Sequence, residues 1–384
     1  MKRWRKPLLR AAKLVALVFS CIILIPLAIA LSRVAIECRP FSSGETAQAN
    51  GSAGPNVTHM GPDHPAAGLT SYTRNEDQTY LTLPEWYIVY SSDEYAAYIA
   101  DNPPSQFPYF GAIGQFWQSY YDVCAVTREQ YPFNGGYHLS LVVIGTSFTV
   151  ENIFKGIYEN TLGRVTEWIS SPELTQEDAY AREVAAEYGT FLHTIPWYEF
   201  PFGAKLNGLW TETDLWGPNI IRKAERKTAL SIEYGSKALY GWVIRQGTQG
   251  VYSAEDLHIH LWVKGVSPEM MQREPDVQLV KMLDAQQAIV VMPRYEAFTQ
   301  IVPRLTQQGV QFIEIAGNDD ILITVLAPRA WQYDGEDGMQ LFVMPILTEP
   351  ERQRVAIKVP VEVLQDVLTT LDQRTIVLEH IYDY

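Results

Sequence analysis

Apolar residues change their spacing several times along this chain. Leu14 to Leu31 is a run of eighteen residues without a charge, nearly all apolar. At about 1.5 Å per residue such a run reaches roughly 27 Å, close to the hydrocarbon thickness of a bilayer. It predicts a transmembrane helix over 14–32 that tolerates Pro26 with a kink. The competing reading is a cleaved signal peptide with Ala28-Ile29-Ala30 as its small-residue site. The apolar run is longer than the ~7–15 residues of a signal core, which favours a retained anchor. Residues 33–78 follow as a stretch rich in Gly, Ser, Pro, Asn and Ala. With so few large apolar groups it reads as a flexible linker with a reach on the order of 35 Å.

From 79 to 250 the spacing is mainly helical. Ser91 with Glu94 makes a capping box and Pro103-Pro104 a stop, and further helices are expected over 107–126, 138–159 and 175–193. A long helix runs from Pro218 to Gly247. Leu139 to Val150 is apolar, but Glu151 and Lys155 cut it short of a span, so it reads as a buried core helix. Phe191 to Trp210 mixes Trp, Tyr and Phe with Pro and Gly, and is either a headgroup-level segment or an aromatic core loop.

After Gly250 the period becomes two. Strands are expected over 257–263, 288–292, 310–315, 321–326, 341–346, 354–359 and 375–382, with amphipathic helices over 294–308 and 361–373. The run IVVMP, EAFTQIVPRLTQQG, VQFIEI is echoed by VAIKVP, VEVLQDVLTTLDQR, TIVLEH, with Pro293 matching Pro360 and Glu314 matching Glu379. The expectation is an α+β fold in which both βαβ units share one sheet with their helices on one side, a ferredoxin-like or duplicated βαβ sandwich. The chain then divides into a basic segment 1–13, the span 14–32, the linker 33–78, a helical domain 79–250 and an α+β domain 251–384.

Composition supports the division of the folded part, since 32 of the 46 Phe, Trp and Tyr lie within 79–250. Charge adds an orientation. Residues 1–36 hold seven basic groups and no acid, whereas 37–384 hold 23 basic and 44 acidic groups. The basic excess before the span puts the N-terminus in the cytoplasm and the bulk of the chain on the far side, as a single-pass protein of the cell (inner) membrane with a periplasmic-type domain. The acidic remainder repels phosphate backbones, which sets nucleic acid aside as a partner. The lipid bilayer is the expected partner, together with a protein at the membrane. A lipoprotein is excluded, because Cys38 follows Glu37. Cys21 lies in the span. Cys38 and Cys124 either pair in an oxidising compartment or remain a free thiol and a small buried hydrophobe, the second being the plainer expectation.

Strong catalytic motifs are missing: no phosphate-binding glycine loop, dinucleotide fingerprint, zinc-protease motif, CxxC pair or nucleophile elbow is present. What remains is weak. His258 and His260 alternate on a strand, with Glu255 or Asp256 nearby, which would let them chelate a metal; the plain reading is two histidines facing solvent. His59 and His64 fall in the linker. His138 and His193, with Glu199, are the candidates for a His–carboxylate pair performing proton transfer in the helical domain. Satisfied core histidines are the commoner alternative. The leading expectation is therefore a membrane-anchored binding or assembly protein without cofactor, and the competing one an envelope- or lipid-directed enzyme using that pair in a cleft lined by Trp117, Trp197, Tyr198, Trp210 and Trp216.

Overall fold

The computed structural model describes residues 2–39, 63–69, 72–73, 76–131, 133–171, 173–248 and 257–382. Helix α1 (Lys2–Glu37) runs unbroken through Pro26 and extends past both ends of the expected span. Its Ser20–Glu37 stretch is long and apolar enough to cross a membrane, the one such helix among the described residues. Ala30, Val34 and Cys38 recur every four residues, hence on one face. All three are buried in one cluster with Tyr120, Val123 and Cys124 of α3 (Tyr109–Thr127) and Leu141 and Val142 of α4 (Gly135–Tyr158). Cys38 and Cys124 form a disulfide, contrary to the plainer expectation.

Helix α2 (Glu76–Asp101) begins well before Ser91, which is buried inside it. Ser91 therefore opens nothing, and Glu94 reaches instead to Arg354 at 3.2 Å. The side chain of Asn134 accepts from the Tyr137 amide and caps α4. The rod continues through a π-helical turn, Glu159–Gly163, into α5 (Arg164–Ile169). Thr175 caps α6 (Gln176–Leu192). The aromatic stretch after it folds inward. Phe200, Phe202 and Leu209, the last two on α7 (Phe202–Thr211), are buried with Leu230 and Tyr234 of α8 (Ile220–Thr248).

The C-terminal strands are β1 (His258–Lys264), β2 (Gln278–Met282), β3 (Gln287–Pro293), β4 (Gln311–Ile315), β5 (Asp320–Pro328), β6 (Met339–Pro345), β7 (Arg352–Pro360) and β8 (Val377–Ile381), with helices α9 (Pro268–Arg273), α10 (Glu296–Gln307) and α11 (Leu364–Gln373). They build two antiparallel sheets, β2-β3-β1-β4 and β6-β7-β5-β8, rather than the one shared sheet expected. The reason lies at the join. Ala316 and Gly317 both take positive φ in a tight two-residue turn closed by an antiparallel Ile315–Asn318 pair, but the pairing goes no further and β5 continues into a separate sheet beside β7 and β8. β2 was not legible because every residue of this edge strand is exposed, so no alternation marks it.

The strand order is nevertheless repeated, although α9 has no counterpart between β5 and β6, and the repeat extends to irregularities. Register slips between Trp262 and Val263 against β4, and between Thr324 and Val325 against β8. It slips again where β2 meets β3 and where β6 meets β7. One core joins the halves: Ile259, Leu261 and Val263 are buried in the same cluster as Val355, Ile357 and Val359. The opposite faces are covered by N-terminal segments. Trp86 and Tyr90 of α2 cluster with Leu322, Ala356 and Tyr382 on the second sheet. Ala66 and Tyr72, from the stretch read as linker, bury against Ile289 on the first.

Candidate functional site at the junction of helices and sheets

His193 ends α6 as its C-cap residue, which aims the ring at the gap between α2 and α10. Its Nε2 lies 2.6 Å from Asp93 Oδ2 and its Nδ1 3.1 Å from Glu296 Oε2. With a carboxylate on each nitrogen the ring is held as imidazolium. Hydrogen bonds to Asp93 and then Glu296 raise its pKa to about 10 against the opposing effect of burial. In return, the bond from His193 is the largest influence lowering the Glu296 carboxyl. His193 thereby joins three elements, the end of α6, α2 and α10. The expected partner Glu199 sits elsewhere, 3.6 Å from Arg245.

Inside this clamp the polar groups are drier. The His380 ring lies against Trp86, tilted by 35° with centroids 3.7 Å apart, and Trp86 also meets His193 edge-on. Thr299 Oγ1 accepts from the Ile381 amide and lies 2.9 Å from His380 Nδ1. Burial drives the pKa of His380 down to about 3, so it stays neutral. Beside it, Arg354 on β7 binds Glu379 at 2.5 Å and Glu94 at 3.2 Å while lying over the Tyr90 ring. Tyr90 and Tyr382 hydroxyls meet at 2.9 Å. Burial lifts the Glu85 carboxyl to about 7, with a hydrogen bond from Tyr137 and the charge of Arg294 acting the other way. Glu85 is thus the carboxyl of this junction poised near neutrality. No motif around it in the sequence marks it.

His138 lies apart from this junction. Its ring stacks on Phe133, its Nδ1 is 2.7 Å from the Tyr120 hydroxyl, and burial lowers its pKa to about 4. Cys38, Cys124 and His138 are the one trio of metal-type ligands that converge among the described residues. Both sulfurs are committed to the disulfide, so no thiolate is present to bind a metal. A shallow pocket opens beside it, lined by Thr127, Arg128, Tyr131 and Phe133 among others. The tryptophans proposed to line a cleft are dispersed: Trp117 bonds Thr149 between α3 and α4, Trp197 lies tilted against Tyr240, and Trp216 is exposed.

His258 and His260 do share one face of β1 while Ile259, Leu261 and Val263 face the core. Glu255 and Asp256, their proposed carboxylate partners, lie outside the described residues, as does His59. The His260 side of the strand is covered rather than open to solvent. Tyr72 lies 6.1 Å from the His260 ring, and His64 meets Trp262 edge-on at 5.6 Å. His64 Nδ1 accepts from the Ala66 amide, which leaves Nε2–H to donate to Glu314 Oε2 at 2.8 Å. The Tyr72 hydroxyl donates to the same oxygen at 3.2 Å. Glu314 is almost completely buried.

No protein family matches this chain, and neither a curated protein nor a solved structure is similar to it. The chemistry of the junction therefore follows from these side chains alone: a protonated clamp at its rim, neutral aromatic and imidazole groups within, and charge pairs that cross from helices to strands.

Proposed function

We propose that this is a membrane-anchored assembly protein: α1 crosses the bilayer with the N-terminus in the cytoplasm, and the helical and sheet units stand on the far side as one body, presented to a protein partner at the membrane. The observation that carries this reading is the Cys38–Cys124 disulfide, which ties the end of the apolar helix to α3. Disulfides persist in oxidising compartments. A bond at the end of the span also makes the anchor a rigid strut rather than a loose leash. The junction gives the same picture, since Asp93, His193, Glu296, Glu94 and Arg354 join α2 and α6 to the sheet module by charge-assisted bonds. For the module itself we propose a ferredoxin-like unit duplicated in tandem, supported by the strand order β4-β1-β3-β2 and its repeat.

The test is cellular. Membranes from cells expressing the full chain are washed with alkaline carbonate, and thiols are blocked before and after reduction. The expected result is retention in the pellet with two thiols that become reactive only on reduction. Recovery in the wash, or thiols at 38 and 124 already reactive, defeats the reading.

A further inference from the structure

Helix α8 is inside out for a protein in water. Ile221, Ile232 and Leu239 are 60%, 67% and 66% exposed, and Trp242 and Val243 continue the same outward face. Its charged residues turn inward. Arg226 binds Glu159 at 2.8 Å, Arg222 binds Asp178 at 2.9 Å, and both are almost wholly buried. The ladder continues along α4, with Lys155 on Glu233 and Lys237 on Glu151, each at 2.7 Å. As residue numbers rise on α4 their partners fall on α8, so the two helices run antiparallel, zipped by charge on the inside. The outer side of the α4–α5 rod is apolar as well, with Leu139, Val143, Ile157, Val165 and Trp168 exposed, Trp168 by 84%.

A surface helix normally directs its charged face to water and its apolar face to the core. The reversal here leaves large apolar side chains exposed along α4, α5 and α8. Continuity with α1 identifies what covers them. Leu27 and Ala30, inside the expected span, pack in the same cluster as Leu141 and Val142 of α4. Wherever that part of α1 meets lipid, the start of α4 lies at the same depth. Seven charged residues between Arg222 and Lys237 keep α8 from crossing a hydrocarbon core. An amphipathic helix with this division of faces instead sinks its apolar side about 5–10 Å into the boundary between headgroups and acyl chains. Exposed Trp168, Trp216 and Trp242 suit that boundary, where the indole ring is apolar and its N–H is wet.

We infer that the outward faces of α4, α5 and α8 rest in the lipid of the bilayer that α1 crosses, so that the helical unit is a monotopic membrane body as well as a tethered one. This rests on α1 being a membrane span, and the experiment separates the two. The full chain carrying Cys21→Ala is given a single new cysteine, Ile232→Cys on α8 or Leu24→Cys on α1, labelled with bimane while the native disulfide stays intact. Each protein is reconstituted in vesicles of phosphatidylcholine and phosphatidylglycerol with brominated acyl chains. Emission from both sites should fall about twofold or more, as for labels within the acyl boundary. Quenching at 24 but not at 232 overturns the inference and leaves the anchor standing. Quenching at neither overturns both. Efficient Ile232→Cys cross-linking between two copies, with bimane at 232 unquenched, assigns the face to a second molecule of this chain and likewise overturns it.

Discussion

Glu314 and His380 occupy the same place in two sheets. Glu314 stands opposite Trp262 and His380 opposite Thr324, each one residue past the equivalent slip in register. Both are buried on the face turned away from the common core, and both are held by a segment from the N-terminal side of the module: Glu314 by His64 and Tyr72, His380 by Trp86 of α2. Duplication thus produced two similar outer faces, and different polar residues at one position select different covers.

Glu314→Ala should loosen the cover of the first sheet without unfolding the module. It leaves the His64 Nε2–H and the Tyr72 hydroxyl without their acceptor, a loss of about 1–3 kcal/mol when such groups stay buried. Amide exchange at Ala67 and Leu69, whose N–H groups are bonded within this segment, should accelerate at least tenfold while the amides of β5 and β7 keep their protection. Unchanged exchange at 67 and 69 contradicts the latch.

The His193 clamp makes stability fall on the alkaline side. Its pKa is raised to about 10 in the folded chain, whereas the unfolded residue titrates near 6.5. Below about 6.5 both states hold the proton and the contribution is complete; between about 6.5 and 10 the folded chain holds more protons than the unfolded one, and stability declines as pH rises. His193→Gln should flatten that limb in thermal unfolding followed from pH 6 to 10. A limb of equal slope in the variant removes the assignment.

On the acid side the sign is reversed. His380 and His138 are depressed to about 3 and about 4 by burial, so below about pH 6.5 the unfolded chain takes up protons that the folded chain refuses. Stability should drop as pH falls from 6.5 toward 4. A chain carrying His380→Gln and His138→Gln should lose part of this dependence, measured as a shallower decrease in Tm over the same interval.

Breaking the inner charge ladder by one partner should cost more than removing the pair. Arg226→Met leaves Glu159 buried without its guanidinium, a change that typically destabilises by about 3–5 kcal/mol. Adding Glu159→Leu should recover much of the loss. A double variant no more stable than the single one, by denaturant unfolding in detergent, would mean that the pair is not the relevant unit.

Cleaving Cys38–Cys124 should free the end of α1 from α3. The bond closes a loop with a sequence separation of 86 residues, for which cross-linking typically contributes about 2–5 kcal/mol. Cys124→Ala should lower the Tm to the value the wild-type chain shows under reductant, and reductant should then have no further effect on the variant.

Elements were legible in the sequence where one side of the backbone meets core and the other does not. The bounds of α6, with Thr175 and His193 at its ends, and of β1, β3, β5 and β7 follow from apolar spacing, because periodicity records which face is buried. The apolar stretch of α1 was legible for a different reason, as an unbroken uncharged run rather than one periodic face. Repetition of a strand, a proline, a helix and a strand was also visible, although matching Glu314 to Glu379 missed by one residue, since Ile313 and Glu379 are the bulged positions and only the paired register reveals this.

What the tertiary structure decided is which buried face meets which. Two sheets form instead of one because β5 leaves β4 after a single Ile315–Asn318 pair and finds β7 and β8 as its partners, a choice of partner without a periodic signature. His193 finds Asp93 100 residues away, and Glu314 finds His64 250 residues away. Polarity in the sequence signals only that a buried group needs a partner, not where the folded chain will bring one. The outward apolar face of α8 has the same origin: its period is that of any amphipathic helix, and only packing against the acids of α4 and α6 settled that Arg222, Arg226 and Lys237 turn inward while Ile221, Ile232 and Leu239 turn out.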